Sequence, residues 1–117
     1  HTYDFNTFNA LKESGINEVI DGYGLMPYEE NEIKFIPQLF YKVYALPFGI
    51  QSTQIHLNYW KEEDFKTFEN FVEKNHEEII SYDDAIKKVS NKIEFKLLNS
   101  ITKNLLRAKR IFSNFKS

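Results

Sequence analysis

Three histidines are the side chains of this sequence that can exchange a proton near neutral pH. His56 lies inside GIQSTQIHLNYW, the stretch 49–60, where an apolar and β-branched run follows a Pro-Phe-Gly turn. We predict a strand over Thr53–Tyr59, and the alternation of side chains along a strand turns His56 and Asn58 to the same face. A polar pair on one face of a buried strand is typical of the mouth of an α/β enzyme. The residues alone indicate an α/β domain with His56 as a candidate catalytic group.

The elements that must position His56 follow from the hydrophobic spacing along the chain. Phe5, Phe8 and Leu11 mark a helix that Asp4 caps. Acidic residues crowd the first turn of a second helix, where the helix dipole favours them. The predicted elements are a helix from Asp4, strands Ile16–Ile20, Ile33–Ile36, Thr53–Tyr59 and Ile79–Tyr82, polar or irregular segments Pro27–Glu32 and Gln38–Leu46, and helices Lys61–Lys74, Asp83–Val89 and 91–115. Strands alternating with helices predict a parallel α/β fold.

Composition limits the classes of protein that this sequence can belong to. Its 117 residues suit one domain, and 42% apolar residues supply ample core material. The absence of cysteine excludes disulfides and thiolate metal sites. No apolar run approaches the roughly 18 residues that cross a bilayer. These features indicate a single globular domain.

Charge is divided unevenly along the chain. Residues 1–86 hold 6 Lys and Arg against 16 Asp and Glu, whereas residues 87–117 hold 9 basic residues against Glu94 alone. A basic segment of this kind can bind a polyanion or an anionic membrane, or it can pack against the acidic part of the same chain. Leu98, Ile101, Leu105, Ala108, Phe112 and Phe115 form one apolar stripe in this segment. The sequence leaves both readings of the basic helix open.

Three segments together resemble the polysaccharide deacetylase superfamily, whose members remove acetyl groups from glycans. The first is HTYDFNTFNALKESGINEVIDGYG, where HTYD, the glycine after the helix and IDGYG match the family's pattern. The second is FIPQLF at 35–40, and the third is STQIHLNYW, which is similar to the family's last motif. The resemblance covers roughly residues 1–86, in the order that the family has.

The resemblance implies a fold and a metal. The family forms a seven-stranded (β/α) barrel, of which residues 1–90 look like the C-terminal half, and residues 91–117 follow as a basic amphipathic helix packed on it. The family's divalent metal, commonly zinc, is held by an aspartate and an HxxxH pattern. This sequence has no HxxxH, so no metal ligand is expected in this chain. We therefore expect a missing N-terminal half or a partner chain that supplies the metal site.

The resemblance also assigns roles to individual residues. His56 becomes the general acid that protonates the leaving amine, with its alternative an ordinary hydrogen-bonded strand histidine. The substrate-binding candidates are His1, Asp21, Tyr23 and Asn58. Asp21 follows a strand, where barrels place working residues, although an Asp-Gly pair also forms common turns. His76 is interpreted as structural, at the end of an acidic helix.

The implied protein is a bacterial carbohydrate hydrolase of the cell envelope or the cytoplasm. Its partner is an acetylated glycan, and no nucleic acid is expected. Two alternatives stay open, both without catalysis by this chain. One is a carbohydrate- or surface-binding module that keeps the barrel scaffold. The other is a small interaction domain that uses the basic helix of residues 91–117 to dock to a partner, and the same residues could make a weak contact with an anionic surface.

Overall fold

A computed structural model describes the backbone of residues 4–44, 46–90 and 92–115, with side chains up to residue 110. The chain is mixed α/β. Its elements are α1 (Phe5–Glu13), β1 (Glu18–Ile20), β2 (Tyr28–Glu30), β3 (Ile33–Ile36), β4 (Gln38–Phe40), β5 (Ser52–Thr53), a 3₁₀ turn (Leu57–Tyr59), α2 (Glu62–Asn75), a 3₁₀ turn (His76–Glu78), α3 (Tyr82–Ile86) and α4 (Ile93–Phe115).

Helix α1 begins and ends where the sequence predicts. The Asp4 carboxylate accepts a hydrogen bond from the Thr7 backbone N–H at 2.9 Å. Hydrogen bonds from Thr7 hold the pKa of the Asp4 carboxyl below its usual range. Gly15 follows the helix with φ of 73°, a left-handed conformation that glycine adopts readily. The Asp4 cap is confirmed.

A three-stranded sheet has the order β1-β3-β2. β1 runs parallel to β3, as predicted, with Val19 opposite Phe35. β2 pairs antiparallel with β3, so the predicted polar loop over Pro27–Glu32 was wrong for Tyr28–Glu30. Both residues between β2 and β3, Asn31 and Glu32, have positive φ, as a two-residue type I′ turn requires. A glutamate in that turn gives no hairpin signal in the sequence.

Beyond Pro37 the chain continues from β3 into β4, which pairs with β5 in a two-stranded parallel sheet. β4 lies within the segment predicted to be irregular, so that prediction was wrong for these three residues. The N–H of Gln38 donates to the Gly22 carbonyl at 3.0 Å, while Gln38 also pairs with Ser52. Segments from β1, β3-β4 and β5 therefore lie side by side and run in the same direction.

The core centres on β3, whose Ile33 and Phe35 are fully buried. Phe35 stacks on Tyr28, with ring centroids 5.0 Å apart, and meets the edge of Phe8 at 6.2 Å. Helix α3 also contacts β3 and buries Ala85. β2, α1 and α3 thus all pack against β3.

The predicted strand Thr53–Tyr59 was wrong beyond its first residue. β5 ends at Thr53, and Leu57–Tyr59 form a 3₁₀ turn. The neighbouring strand β4 ends at Phe40, so the chain after Gln54 has no described strand to pair with. Its backbone groups are satisfied locally instead, as in the bond from the Trp60 N–H to the Leu57 carbonyl at 3.1 Å.

Helix α2 confirms the predicted helix, and Trp60 packs on its Phe65 and Phe68 at centroid distances of 5.1 and 5.4 Å. The predicted strand Ile79–Tyr82 was wrong, because α3 already begins at Tyr82 and Ser81 caps it. The described residues form two small sheets and do not close a barrel. The complete barrel stays a prediction.

Helix α4 confirms the long C-terminal helix predicted by the stripe. It contacts the rest of the chain through a narrow face in which Asn99 is buried and Phe95, Thr102 and Leu106 are half-buried. Leu98, Ile101 and Leu105 of the predicted stripe are exposed instead. No described helix is both long and apolar enough to span a bilayer.

Tyr82 gives this fold a pH-dependent contact, because its hydroxyl donates to the Glu18 carboxylate at 2.7 Å. Burial, and then this bond, raise the pKa of Tyr82 to about 12. The contribution to stability is therefore complete below an ordinary tyrosine pKa of about 10 and is lost as pH rises through about 12. We expect the tyrosinate absorbance change near that pH to be smaller by one tyrosine in Tyr82→Phe and to be kept in a Tyr59→Phe control. An absorbance change of unaltered size in Tyr82→Phe would contradict the assignment.

Candidate functional site at the strand ends

The three parallel segments run in the same direction, and the loop after β1 begins level with the first residues of β4 and β5. Gly22, Gln38 and Ser52 are neighbours across the strands, as the bond from Gln38 to Gly22 and the pairing of Gln38 with Ser52 establish. The chain after each of these residues continues in the same direction. In α/β folds, the carboxyl edge of parallel strands is where ligands bind.

Asp21 and Tyr23 lie in the loop that follows β1. The Asp21 N–H donates to the Ile36 carbonyl at 3.0 Å, and its carboxylate accepts from the Gly22 N–H at 2.7 Å. Tyr23 is half-buried. Asp21 therefore has the turn-forming contact that the sequence left as its alternative role.

Gly22 fixes the conformation of this loop. It is buried with φ of 94°, and a side chain there would collide with the Tyr28 hydroxyl. Burial, then the negative charges of Glu30 and Asp21, raise the pKa of Tyr28 far above its usual range. The tyrosine at the loop is thus a neutral hydroxyl.

Gln38 and Gln54 form a polar pair at the same edge. The Gln38 side-chain amide donates to the Gln54 side-chain carbonyl at 2.7 Å. Both side chains retain further donors and acceptors, because a primary amide has two of each. This pair was not predicted from the sequence, because Gln38 falls in a segment predicted to be irregular.

His56 and Asn58 lie beyond β5, and both are exposed. Because Asn58 belongs to a 3₁₀ turn, the expected shared strand face does not form. The His56 ring meets the edge of Tyr59 at 6.5 Å. In the described residues no hydrogen bond or ion pair joins His56 to Asp21.

The two other histidines are His1 and His76. His1 is outside the described residues. His76 caps the C-terminus of α2, and its Nδ1 lies 2.9 Å from the Glu73 carbonyl. Its position agrees with the structural interpretation drawn from the sequence.

Asn99 of α4 holds the loop after β1 through three side-chain hydrogen bonds. Its Oδ1 accepts from the N–H groups of Leu25 and Met26 at 2.7 and 3.1 Å, and its Nδ2 donates to the Met26 carbonyl at 3.2 Å. A side chain on Gly24 would lie within 2.8 Å of the same Oδ1. Asn99 was not among the residues predicted from the sequence. Its signal was an amide that shares one helix face with Phe95 and Leu106.

A separate apolar groove of about 800 Å³ opens between the strands and helices α2 and α3. It is lined by Ile36, Phe48, Phe68, Phe71 and Ile80, among others. Asp21, Tyr23, His56 and Asn58 do not line it. The polar candidate residues thus lie outside this groove.

The described residues contain no group of three or more His, Asp or Glu side chains arranged to hold a metal ion. The metal implied by the family resemblance would need ligands from outside these residues. The zinc expectation is therefore untested by the arrangement of the described side chains.

Comparisons with family models, with curated proteins and with solved structures find no match for this chain. The resemblance to polysaccharide deacetylases therefore remains a prediction from the motifs. What can be described directly is the edge at which Asp21, Gln38 and Gln54 lie, with His56 on the segment that leaves it.

Proposed function

We propose that this chain forms part of a deacetylase-like hydrolase that acts on acetylated glycans. The observation that supports the proposal is the shared direction of the segments from β1, β3-β4 and β5. Polar candidates from two separate stretches of the sequence follow the ends of these segments. A (β/α) barrel enzyme places its working residues in the same position relative to its strands.

In this proposal His56 is the proton donor. Hydrolysis of an N-acetyl group forms a bond from water oxygen to the acetyl carbon and breaks the carbon–nitrogen bond. The electron pair of the broken bond goes to nitrogen, which takes the proton of His56. One proton from the attacking water replaces the proton that His56 gave up and the other passes to solvent, so the products are acetate and a free amine. An exposed imidazole can be recharged by solvent and suits this role near neutral pH.

The sugar would be held by the polar edge. Asp21 and Asn58 offer acceptors and donors for hydroxyl groups, Tyr23 offers a ring face, and the Gln38–Gln54 pair extends the set. His1 is retained as a further contact on the resemblance alone. The metal ligands belong to residues outside those described, and the roles of these sugar-binding side chains do not depend on the geometry of the metal.

Acetate release from N-acetylglucosamine oligomers tests the proposal in the protein that contains this chain. We expect His56→Ala to lower kcat about 10²–10⁴-fold, the usual contribution of a general acid. His76→Ala is the matched control. It should retain full activity, because His76 lies at the C-terminus of α2 and takes no part in the proposed reaction.

A second substrate separates proton donation from a general loss of activity. The leaving group of 4-nitrophenyl acetate departs without a proton, so His56→Ala should hydrolyse this ester nearly as fast as the parent protein. Equal amide hydrolysis by His56→Ala and the parent would overturn the acid role. Glycan binding without acetate release would favour the non-catalytic binding module instead.

A further inference from the structure

Helix α4 exposes a continuous apolar face. Ile93, Leu97, Ile101 and Leu105 are spaced by four residues, and their exposed fractions are 82%, 60%, 48% and 66%. Leu98 adjoins them at 43%. Side chains at this spacing lie along one side of a helix. Contiguous exposed apolar surface of this kind marks a surface that binds a partner.

A basic stripe runs beside the apolar face. Lys96, Lys103 and Arg107 are exposed, and steps of seven and four residues place them on one line of the helix. Lys96, Lys103 and Arg107 form no ion pair with any acidic side chain among the described residues. Among the described residues, these three basic side chains therefore do not pair with the acidic part of the chain.

We propose that α4 binds the surface of an anionic lipid bilayer. The apolar face would enter the boundary between headgroups and acyl chains, and the basic side chains would reach the lipid phosphates, as in other interfacial amphipathic helices. This proposal is independent of the glycan reaction. It assigns a location to the helix and no catalytic step.

Charge complementarity selects a bilayer over the other possible partners. A soluble polyanion would neutralise the basic stripe but leave the apolar face in water. A second copy of α4 would cover the apolar face but bring two basic stripes close together, which like-charge repulsion disfavours. An anionic bilayer offers negative charge and an apolar boundary within a few ångströms of each other.

The position of Asn99 on α4 determines how the rest of the chain is oriented relative to the bilayer. Asn99 lies on the side of α4 opposite to Ile101, because two residues advance a helix by about half a turn. Its hydrogen bonds to Leu25 and Met26 therefore attach the rest of the chain to the side of α4 that faces away from the lipid. The bound helix would carry the strand-end edge on the aqueous side.

Sedimentation with vesicles tests the proposal on the full chain. We expect binding to vesicles of phosphatidylglycerol mixed with phosphatidylcholine, weakening as salt rises, and little binding to phosphatidylcholine alone. Replacing Lys96, Lys103 and Arg107 by Gln should weaken partitioning about 100-fold, from about fivefold for each charge. The matched control replaces Lys42, Lys66 and Lys74 by Gln, which removes the same charge outside α4 and should retain most of the binding.

The apolar face is tested separately with neutral substitutions. Leu105→Gln should weaken partitioning about tenfold, whereas Phe5→Gln, at an exposed side chain of α1, should not. Both positions are exposed, so circular dichroism should find both variants folded. Equal loss in the Lys42, Lys66 and Lys74 control, or binding of soluble polyphosphate without vesicles, would overturn the proposal. So would a lipid-free dimer that Leu105→Gln converts to monomer.

Discussion

Phe35→Ala is expected to lower the free energy of unfolding by about 3–5 kcal/mol, the range for large aromatic truncations in a core. Phe35 is fully buried, stacks on Tyr28 and meets Phe8, so its removal leaves a cavity between the hairpin and α1. A domain of this length has about 5–15 kcal/mol in total. The substitution thus removes a large share of the stability.

Urea denaturation followed by circular dichroism measures this loss. Phe5→Ala is the control, since Phe5 is 74% exposed and its truncation should change stability by less than about 0.5 kcal/mol. Equal midpoints for the two variants would contradict the assignment of Phe35 to the centre of the core.

Asn99→Leu is expected to lower stability by about 2–4 kcal/mol. The leucine fills the volume but leaves the N–H groups of Leu25 and Met26 without the acceptor that Oδ1 provides. Each unsatisfied buried N–H group costs about 1–3 kcal/mol. Because the loop is only partly buried, we expect the cost for the two N–H groups to stay below twice the upper value. The contact between α4 and the loop after β1 should weaken together with these bonds.

Amide hydrogen exchange separates this effect from a general loss of stability. The Leu25 and Met26 amides should lose protection in Asn99→Leu more than the amides of β3 do. Asn104→Leu, at an exposed position of the same helix, should leave both sets unchanged. Asn99→Asp keeps the acceptor and loses the donor, so it should fall between the parent and Asn99→Leu. Unaltered exchange at Leu25 in Asn99→Leu would refute the role of this side chain.

The sequence predicted best those elements whose signal is local. Asp4 with Thr7 at the start of α1, and the acidic first turn of α2, define helix ends within four residues of chain. α4 was predicted from its stripe, because a helical period is visible over many turns. The fully apolar ends of β3, at Ile33 and Ile36, likewise mark a buried strand without knowledge of its neighbours.

Features that depend on distant partners could not be predicted in this way. Residues 55–59 have the composition of a strand, yet a strand needs a neighbour, and β4 ends before reaching them. β2 escaped notice because Glu29 and Glu30 are polar and pair only through their backbones. Asn99 bonds to residues 73 and 74 positions away, a separation at which no spacing rule applies.

The candidate site was predicted only in part. Asp21 and Tyr23 do follow a strand, as the sequence indicated. The position of His56 relative to them depends on the register between β4 and β5 and on the turn after Thr53. Neither is encoded in the local spacing of the residues.

The turn at Asn31 and Glu32 has a consequence for the order in which this chain folds. Two residues close the β2-β3 hairpin, whereas pairing β1 with β3 closes a loop of more than a dozen residues. Because the entropic cost of closure grows with loop length, the hairpin is the kinetically favoured first pairing. The same hairpin holds Tyr28 against Phe35, a core contact that needs no distant strand. We expect this hairpin to act as the nucleus on which α1, β1 and finally α4 assemble.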